Sequence, residues 1–138
     1  MAERIRVLIL EDEALIAWEL RDTLTDAGFE VVGIASRVRD ALSIAENTRP
    51  HVAILDIRLR GERDGIEAAL LLRQQFDVQV VMLTGQSDRV AEDKAAIAQA
   101  AAYLNKPISH RLLINAIKLA AAAALTQQAG PAVGNVTK

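Results

Sequence analysis

Five short apolar runs, each followed by a stretch of helical spacing, constrain the fold of this chain more than any other feature. Several runs are nearly continuous rather than alternating, which is typical of parallel strands covered on both faces. Strands that alternate with helices through short loops form a parallel sheet with right-handed crossovers, so the sequence predicts an α/β domain. The runs are Ile5–Leu10, Phe29–Ala35, Val52–Leu55, Val78–Leu83 and Ala102–Leu104.

Five helices are predicted around these strands. The first ends at Gly28, a residue that commonly follows a helix, and the fourth begins at Ser87 or Asp88 and continues to Ala101. The last follows Ser109. Its inward side is predicted to comprise Leu112, Leu113, Ala116, Ile117 and Ala120. Beyond Leu125 the composition turns to Gln, Gly, Pro, Asn and Thr, which predicts a folded domain over residues 1–126 and a flexible tail over 127–138.

Composition excludes several classes of function. The 138 residues are 51% hydrophobic and carry a net charge of −2, which argues against a nucleic-acid partner and a membrane partner. The chain has no cysteine, and the two histidines, His51 and His110, are expected at the surface. No membrane span or signal peptide is recognised, so a cytoplasmic location is the default expectation. The length predicts one domain that acts through its own surface.

Polar residues stand where the apolar runs end. In an open parallel sheet the carboxyl ends of the strands meet at one edge, where ligands bind. Converging carboxylates repel each other, and Mg²⁺ resolves this because it takes carboxylate and phosphate oxygens together. A hydroxyl and an ammonium suit phosphate oxygens, so the set predicts a Mg²⁺-assisted phosphoryl-transfer site with Asp56 as nucleophile. The residues are Glu11, Asp12 and Glu13 after the first run, Asp56 after the third, Thr84 after the fourth and Lys106 after the fifth.

Each of these residues also has a simpler interpretation. Glu11 and Asp12 precede a helix, where negative charge is favourable without any ligand. A threonine after a strand, or a lysine before a proline, is commonly structural. The conjunction of all of them at strand ends, in this order, is what favours a phosphoryl site.

From about Ile5 to Leu125 these residues resemble a response-regulator receiver domain of two-component signalling, similar to the single-domain chemotaxis regulators. The resemblance implies a doubly wound, flavodoxin-like fold: five parallel strands in the order 2-1-3-4-5, with five helices in three α/β/α layers. It assigns Asp56 as the phosphoacceptor. Thr84 and Tyr103 are the implied switch residues, and Lys106 binds the phosphoryl group and precedes a cis bond to Pro107.

The resemblance also implies a cofactor and partners. Mg²⁺ is expected on Asp12, Asp56 and the backbone carbonyl of Arg58, with Glu11 acting through water. A sensor histidine kinase or a histidine phosphotransfer protein is expected to supply the phosphoryl group. The added charge then biases the surface formed by the fourth predicted helix, the fifth strand and the last helix, which contacts a downstream protein or a second copy in a homodimer.

One loop departs from the family pattern. The segment DIRLRGERDG after the phosphoacceptor is one residue longer than usual and carries three arginines and no proline. A harmless loop variant is one interpretation. The other is that Arg58, two residues after Asp56, shields the phosphoryl group from water, while Gly85 and Gln86 beside Thr84 also modulate its lifetime.

Partner contacts are predicted on two helices. Trp18, the single tryptophan, lies off the inward stripe of the first helix, on the face where receivers meet their kinases; packing over a neighbouring helix is the alternative. The last helix shows a second apolar side, comprising Ile114, Ala121 and Leu125, that would suit a dimer or partner face.

Three functions compete at this point. The first is a stand-alone receiver, not an enzyme, that binds partners once Asp56 is phosphorylated and takes part in its own slow dephosphorylation. The second is a Mg²⁺-dependent phosphatase with an aspartyl nucleophile; such enzymes carry a second aspartate where Arg58 stands here. The third is a receiver-like module that binds without phosphorylation, which the complete set of site residues disfavours.

Overall fold

A computed structural model describes residues 4–56, 65–85, 93 and 96–129, with side chains described as far as Leu125. Its five strands are parallel and stand in the order β2-β1-β3-β4-β5, as predicted. The strands are β1 Arg6–Leu10, β2 Glu30–Ala35, β3 Val52–Asp56, β4 Gln79–Thr84 and β5 Ala102–Asn105. The helices of the described ranges are α1 Ala14–Asp26, α2 Val38–Thr48, α3 Gly65–Phe76 and α4 His110–Ala129.

Four of the five predicted helices lie wholly within the described ranges. Of the predicted helix from Ser87 or Asp88 to Ala101, residues 93, 96 and 97 are helical, and residues 87–92 and 94–95 lie outside the described residues. The last helix, α4, continues to Ala129 and so passes the predicted boundary at residue 126. The flavodoxin-like doubly wound architecture of the prediction is confirmed.

Two apolar cores lie on opposite faces of the sheet, because successive residues of a strand point to opposite faces. On one face Leu8, Leu55 and Met82 pack with α2 and α3. On the other face Ile9 and Ile54 pack with α1 and α4. Strands β3 and β4 are buried along their whole length, which explains why their sequences are nearly continuous apolar runs.

Strand β2 is irregular where it pairs with β1. The register shifts after Val7, which pairs with Val31, so that Leu8 pairs with Gly33 and Val32 has no counterpart in β1. A bulge of this kind bends the strand locally and increases its twist. Gly33 therefore sits at an irregular position beneath α2, in contact distance of Ile44.

The prediction for the last helix was wrong at two residues. Leu112 was assigned to the inward side but is 57% exposed, and Ala121 was assigned to the outward apolar side but is fully buried. The buried centre of α4 comprises Leu113, Ile117, Ala120 and Ala124. One residue is a rotation of about 100° on a helix, so Leu112 falls at the edge of that stripe and its side chain faces away from the core.

Candidate functional site

The strand ends bring the predicted polar residues to one edge of the sheet. Asp56 is the last residue of β3 and pairs with Leu83 of β4, one residue before Thr84. Thr84 pairs with Asn105 at the end of β5, and the Lys106 amide then donates to the Thr84 carbonyl at 2.7 Å. Glu11 follows β1, and its own amide donates to the carbonyl of Ala35 at 2.9 Å. The sheet itself therefore fixes the backbone around the site.

An ion pair joins the third and fifth strands across this edge. The Nζ of Lys106 lies 2.6 Å from Oδ2 of Asp56, a carboxylate that is only 7% exposed. Burial alone would lower the pKa of the Lys106 ammonium, but the hydrogen bond and the charge of Asp56 raise it above its ordinary value. Lys106 therefore stays charged beside Asp56. The Lys106–Pro107 peptide bond that follows is cis, as expected.

An acidic cluster lies at the start of α1. Carboxylate oxygens of Glu11, Asp12 and Glu13 lie within 4.8 Å of one another. Glu11 is buried, and its Oε2 accepts the amide N–H of Glu13 at 3.2 Å. Its Oε1 is also buried and has no hydrogen-bond partner within the described part of the chain. A buried carboxylate oxygen left without a donor, among other carboxylates, fits a hard divalent cation such as Mg²⁺.

The electrostatics of Glu11 agree with this interpretation. Burial, together with the negative charges of Asp56 and Asp12, raises the pKa of Glu11 from its ordinary 4.5 to about 7, although the Glu13 amide and the Lys106 charge oppose the shift. Ionisation of a carboxyl group in this position costs free energy, because the negative charge is buried and lies near other negative charges. A cation bound between these carboxylates would remove that cost.

The two predicted switch residues lie on the neighbouring strands β4 and β5 and differ in exposure. Thr84 is 5% exposed at the end of β4. Tyr103 in β5 is half-buried and packs against the core beneath α2 and α3. Gly85, the residue after Thr84, is exposed and has room for a side chain. Arg58 and Gln86, the other residues predicted to modulate the site, lie outside the described residues.

The predicted partner residues differ in their surroundings. Trp18 is 51% exposed on α1, three residues from Leu15, which is 77% exposed. On α4, Leu125 is 46% exposed, whereas Ile114 is half-buried and packs against the core. Leu119, which the sequence analysis did not single out, is 74% exposed.

Glu13 and His51 were assigned no specific role from the sequence. Glu13 was noted after the first strand but was not assigned as a ligand; one carboxylate oxygen of Glu13 lies within 4.8 Å of those of Glu11 and Asp12, the two residues before it. His51 was expected at the surface and is 4% exposed, so that expectation was wrong, whereas His110 is exposed as expected. The signal for His51 is its place directly before a fully buried strand.

Comparison with known proteins gives consistent matches. Residues 7–118 match the family model of the response regulator receiver domain. The transcriptional regulatory protein PdtaR of Mycobacterium tuberculosis is 43% identical over 115 residues, which cover 83% of this chain and 56% of that protein. The phyllosphere-induced regulator PhyR of Methylorubrum extorquens is 36% identical over 84 residues, 60% of this chain and 32% of that protein. The chain thus spans about half the length of the first relative and a third of the second.

Solved structures agree with this assignment. The signal receiver domain of a modulated diguanylate cyclase from Desulfovibrio desulfuricans superposes with a TM-score of 0.83 at 30% identity, covering 91% of this chain and 99% of that one. A CheY-like response regulator receiver domain protein from Methanospirillum hungatei gives a TM-score of 0.80 at 25% identity, with the same coverage. Among the described residues, no helix is both long enough and apolar enough to cross a membrane.

Proposed function

Because the chain belongs to the response regulator receiver family of two-component systems, we propose that it accepts a phosphoryl group on Asp56 and signals through protein binding that this modification controls. The observation that carries the proposal is the 2.6 Å ion pair between Lys106 and the buried Asp56 at the carboxyl edge of the sheet. A cation held against a buried carboxylate is the arrangement that a phosphoacceptor would need, and it supports the proposal. The proposed receiver domain spans residues 1–126, and its last helix continues three residues further, to Ala129.

The chemistry follows from these side chains. An Asp56 oxygen attacks the phosphorus of a phosphohistidine, so a P–O bond forms, the P–N bond breaks and the histidine nitrogen takes up a proton. The Lys106 ammonium, kept charged by its surroundings, then pairs with the phosphoryl oxygens as well as with the aspartyl group. Thr84, buried at the next strand end, donates its hydroxyl to the same oxygens, and Tyr103 follows it inward. Binding, rather than catalysis on another substrate, is the proposed output.

We assign Mg²⁺ to the acidic cluster. Asp12, Asp56 and the backbone carbonyl of Arg58 are the proposed ligands, with Glu11 acting through water. The Oε1 atom of Glu11, which has no hydrogen-bond partner among the described residues, supports this assignment. When bound, the ion supplies positive charge against the carboxylates and the incoming phosphoryl oxygens. Glu13 adds a further carboxylate at the rim of the same cluster.

The proposed partners are a sensor histidine kinase or a histidine phosphotransfer protein, and a downstream protein. The exposed Trp18 and Leu15 of α1 support a contact with the phosphoryl donor, since a half-exposed tryptophan is often a contact residue. Leu125 on α4 supports a second contact, with a downstream protein or with a second copy through the last helix and β5. Ile114 contributes less surface there because it is half-buried.

Addition of beryllofluoride or a small phosphodonor with Mg²⁺ tests the proposed function. In the wild type we expect large amide NMR shifts at Thr84 and Tyr103 and at their neighbours. The Asp56→Asn variant should show none of them, whereas Asp40→Asn, on the exposed first turn of α2, should respond like the wild type. Absence of shifts in the wild type would indicate a receiver that binds without phosphorylation. Steady release of phosphate from unrelated monoesters would indicate a phosphatase.

A second prediction concerns the lifetime of the phosphoryl group. If Arg58 shields phospho-Asp56 from water, Arg58→Ala should shorten that lifetime severalfold, and Gln86→Ala should change it as well. Dephosphorylation would be followed after removal of the phosphodonor, with Arg60→Ala in the same loop as the control that keeps the wild-type rate. Equal rates in the wild type, Arg58→Ala and Gln86→Ala would contradict the idea.

A further inference from the structure

A histidine side chain accepts a hydrogen bond at the start of the pairing between β1 and β3. His51 lies one residue before β3 and is 4% exposed. Its backbone N–H donates to the carbonyl of Arg6 at 2.9 Å, as in an ordinary strand ladder. The return bond is different, because the backbone N–H of Arg6 donates to the imidazole Nδ1 of His51 at 3.0 Å. A titratable side chain thus stands where a backbone carbonyl would ordinarily accept.

The protonation state of this ring decides whether the return bond exists. An imidazole nitrogen accepts a hydrogen bond only when it carries no proton, so the contact needs a neutral ring with its proton on Nε2. In the imidazolium form both nitrogens are donors, and Nδ1–H would face the N–H of Arg6. The buried amide would then lose its acceptor. Histidine is the side chain that ordinarily changes charge between about pH 5 and 8.

The side chain of Arg6 also donates hydrogen bonds to carbonyls at the C-terminal end of α2. The Nε of Arg6 donates to the carbonyl of Thr48 at 3.2 Å, and its Nη2 donates to the carbonyl of Arg49 at 2.6 Å. These carbonyls lie at the end of the helix, where the helix itself supplies no donors. Arg6 is therefore held by two sets of hydrogen bonds, those of its backbone in the β1–β3 pairing and those of its side chain at the end of α2.

Three arginines lie near this corner. Arg6 belongs to β1. The carbonyl of His51 accepts the N–H of Gln79 from β4 at 3.0 Å, and the uncharged Gln79 side chain accepts from Arg73 of α3 at 3.1 Å. At the end of α2 stands Arg49, whose guanidinium lies 5.6 Å from the centre of the Phe76 ring.

We propose that His51 makes the amino-terminal edge of the sheet sensitive to pH. Protonation of its ring breaks the hydrogen bond from the Arg6 amide and so loosens the start of the β1–β3 pairing. It also weakens the hydrogen bonds that the Arg6 side chain donates to the end of α2. This regulation is separate from the phosphoryl site, which lies at the opposite edge of the sheet. It therefore holds or fails independently of the proposed function.

Amide hydrogen exchange of the full chain tests the proposal. Between about pH 7.5 and about pH 5, corrected for intrinsic exchange, the protection of the Arg6 amide should fall about tenfold relative to that of the interior Val81 amide. In His51→Gln the glutamine carbonyl can accept without titrating, so the fall should be less than about twofold. His110→Gln, which removes the other histidine from an exposed site, should keep the wild-type response.

Two results would overturn the proposal: protection of the Arg6 amide that does not depend on pH, or a fall that persists in His51→Gln. Imidazole nitrogen NMR of the wild type gives a second, independent readout in case the variant does not fold. At about pH 7.5 the His51 Nδ1 should be unprotonated, and its titration should coincide with the loss of Arg6 protection. A proton on Nδ1 at that pH would refute the contact.

Discussion

Replacing Glu11 with glutamine should stabilise the metal-free protein by about 3 kcal/mol at about pH 8 and leave its stability almost unchanged near pH 4.5. Burial, followed by the charges of Asp56 and Asp12, raises the pKa of Glu11 from 4.5 to about 7 in the folded protein. Between pH 4.5 and about 7 the folded state therefore holds a proton that the unfolded state has released, and above about pH 7 it carries a buried carboxylate at a cost in stability. Glutamine matches the protonated carboxyl in shape and never ionises, so the variant does not lose the stability that ionisation of the buried carboxyl costs the wild type.

The sign of the pH dependence follows from the raised pKa. Below pH 4.5 Glu11 is protonated in both states, and its full contribution to stability is present. As the pH rises from 4.5 to about 7, the folded protein binds more protons than the unfolded chain, so the wild type loses stability, and the loss levels off above about pH 7. Denaturant unfolding of both proteins in EDTA across this range measures the difference directly. A difference that does not depend on pH would contradict the prediction.

Magnesium should reduce the difference between the two proteins at about pH 8. An ion bound at the acidic cluster stabilises a protein by RT ln(1 + [Mg²⁺]/Kd), and the wild type keeps the carboxylate that glutamine lacks, so it should gain more stability than the variant. Glu19→Gln is the matched control, because Glu19 is exposed on α1, away from the cluster. Its effect should remain within about 0.5 kcal/mol with or without Mg²⁺.

The arrangement that could be predicted from the sequence is the one in which the strands of the sheet bring the polar residues together. Asp56, Thr84 and Lys106 each follow an apolar run, and a parallel sheet brings the ends of its strands to one edge whatever the details of the loops. The end of each run can be read from the sequence. Once the strands are known to be parallel and in one sheet, it follows that these residues lie near one another. The Lys106–Asp56 pair bridges 50 positions in sequence and still follows from this reasoning.

The features that the sequence did not predict depend on side-chain direction or on distant partners. His51 looks like a loop residue, and its acceptor role depends on the amide of Arg6, which lies 45 positions earlier. On α4 the alanine-rich sequence offers little contrast between faces, so Leu112 was assigned inward although it is exposed. Local patterns carry no information about such contacts.

Replacing Gly33 with alanine should destabilise the protein by about 2 kcal/mol, or about 8 °C in Tm. A Cβ on Gly33 would lie 2.9 Å from Cγ2 and 3.0 Å from Cδ1 of Ile44, closer than carbon atoms normally approach. Ile44 belongs to α2, which packs on this part of β2, so relief requires Ile44 to leave its rotamer or the helix or strand to move. Thermal and denaturant unfolding measure the loss.

Gly85→Ala provides the matched control for this substitution. Gly85 is exposed, and a Cβ there meets none of the described residues within 4 Å, so the change should remain within about 0.5 kcal/mol. Gly28→Ala tests a different cause. Gly28 follows α1 with a φ of 97°, so alanine there should cost about 1 kcal/mol through backbone strain although it also meets no neighbour.

A double-mutant cycle with Ile44→Ala separates steric overlap from the backbone irregularity of β2. Ile44→Ala removes both of the atoms that a Cβ on Gly33 would approach. In that background Gly33→Ala should cost at least about 1 kcal/mol less than in the wild type, which is a coupling typical of residues in contact. An unchanged cost would show that the bulge at Val32, rather than Ile44, requires glycine at position 33. The close packing of α2 on β2 would then be a consequence of the strand's irregular shape and not its cause.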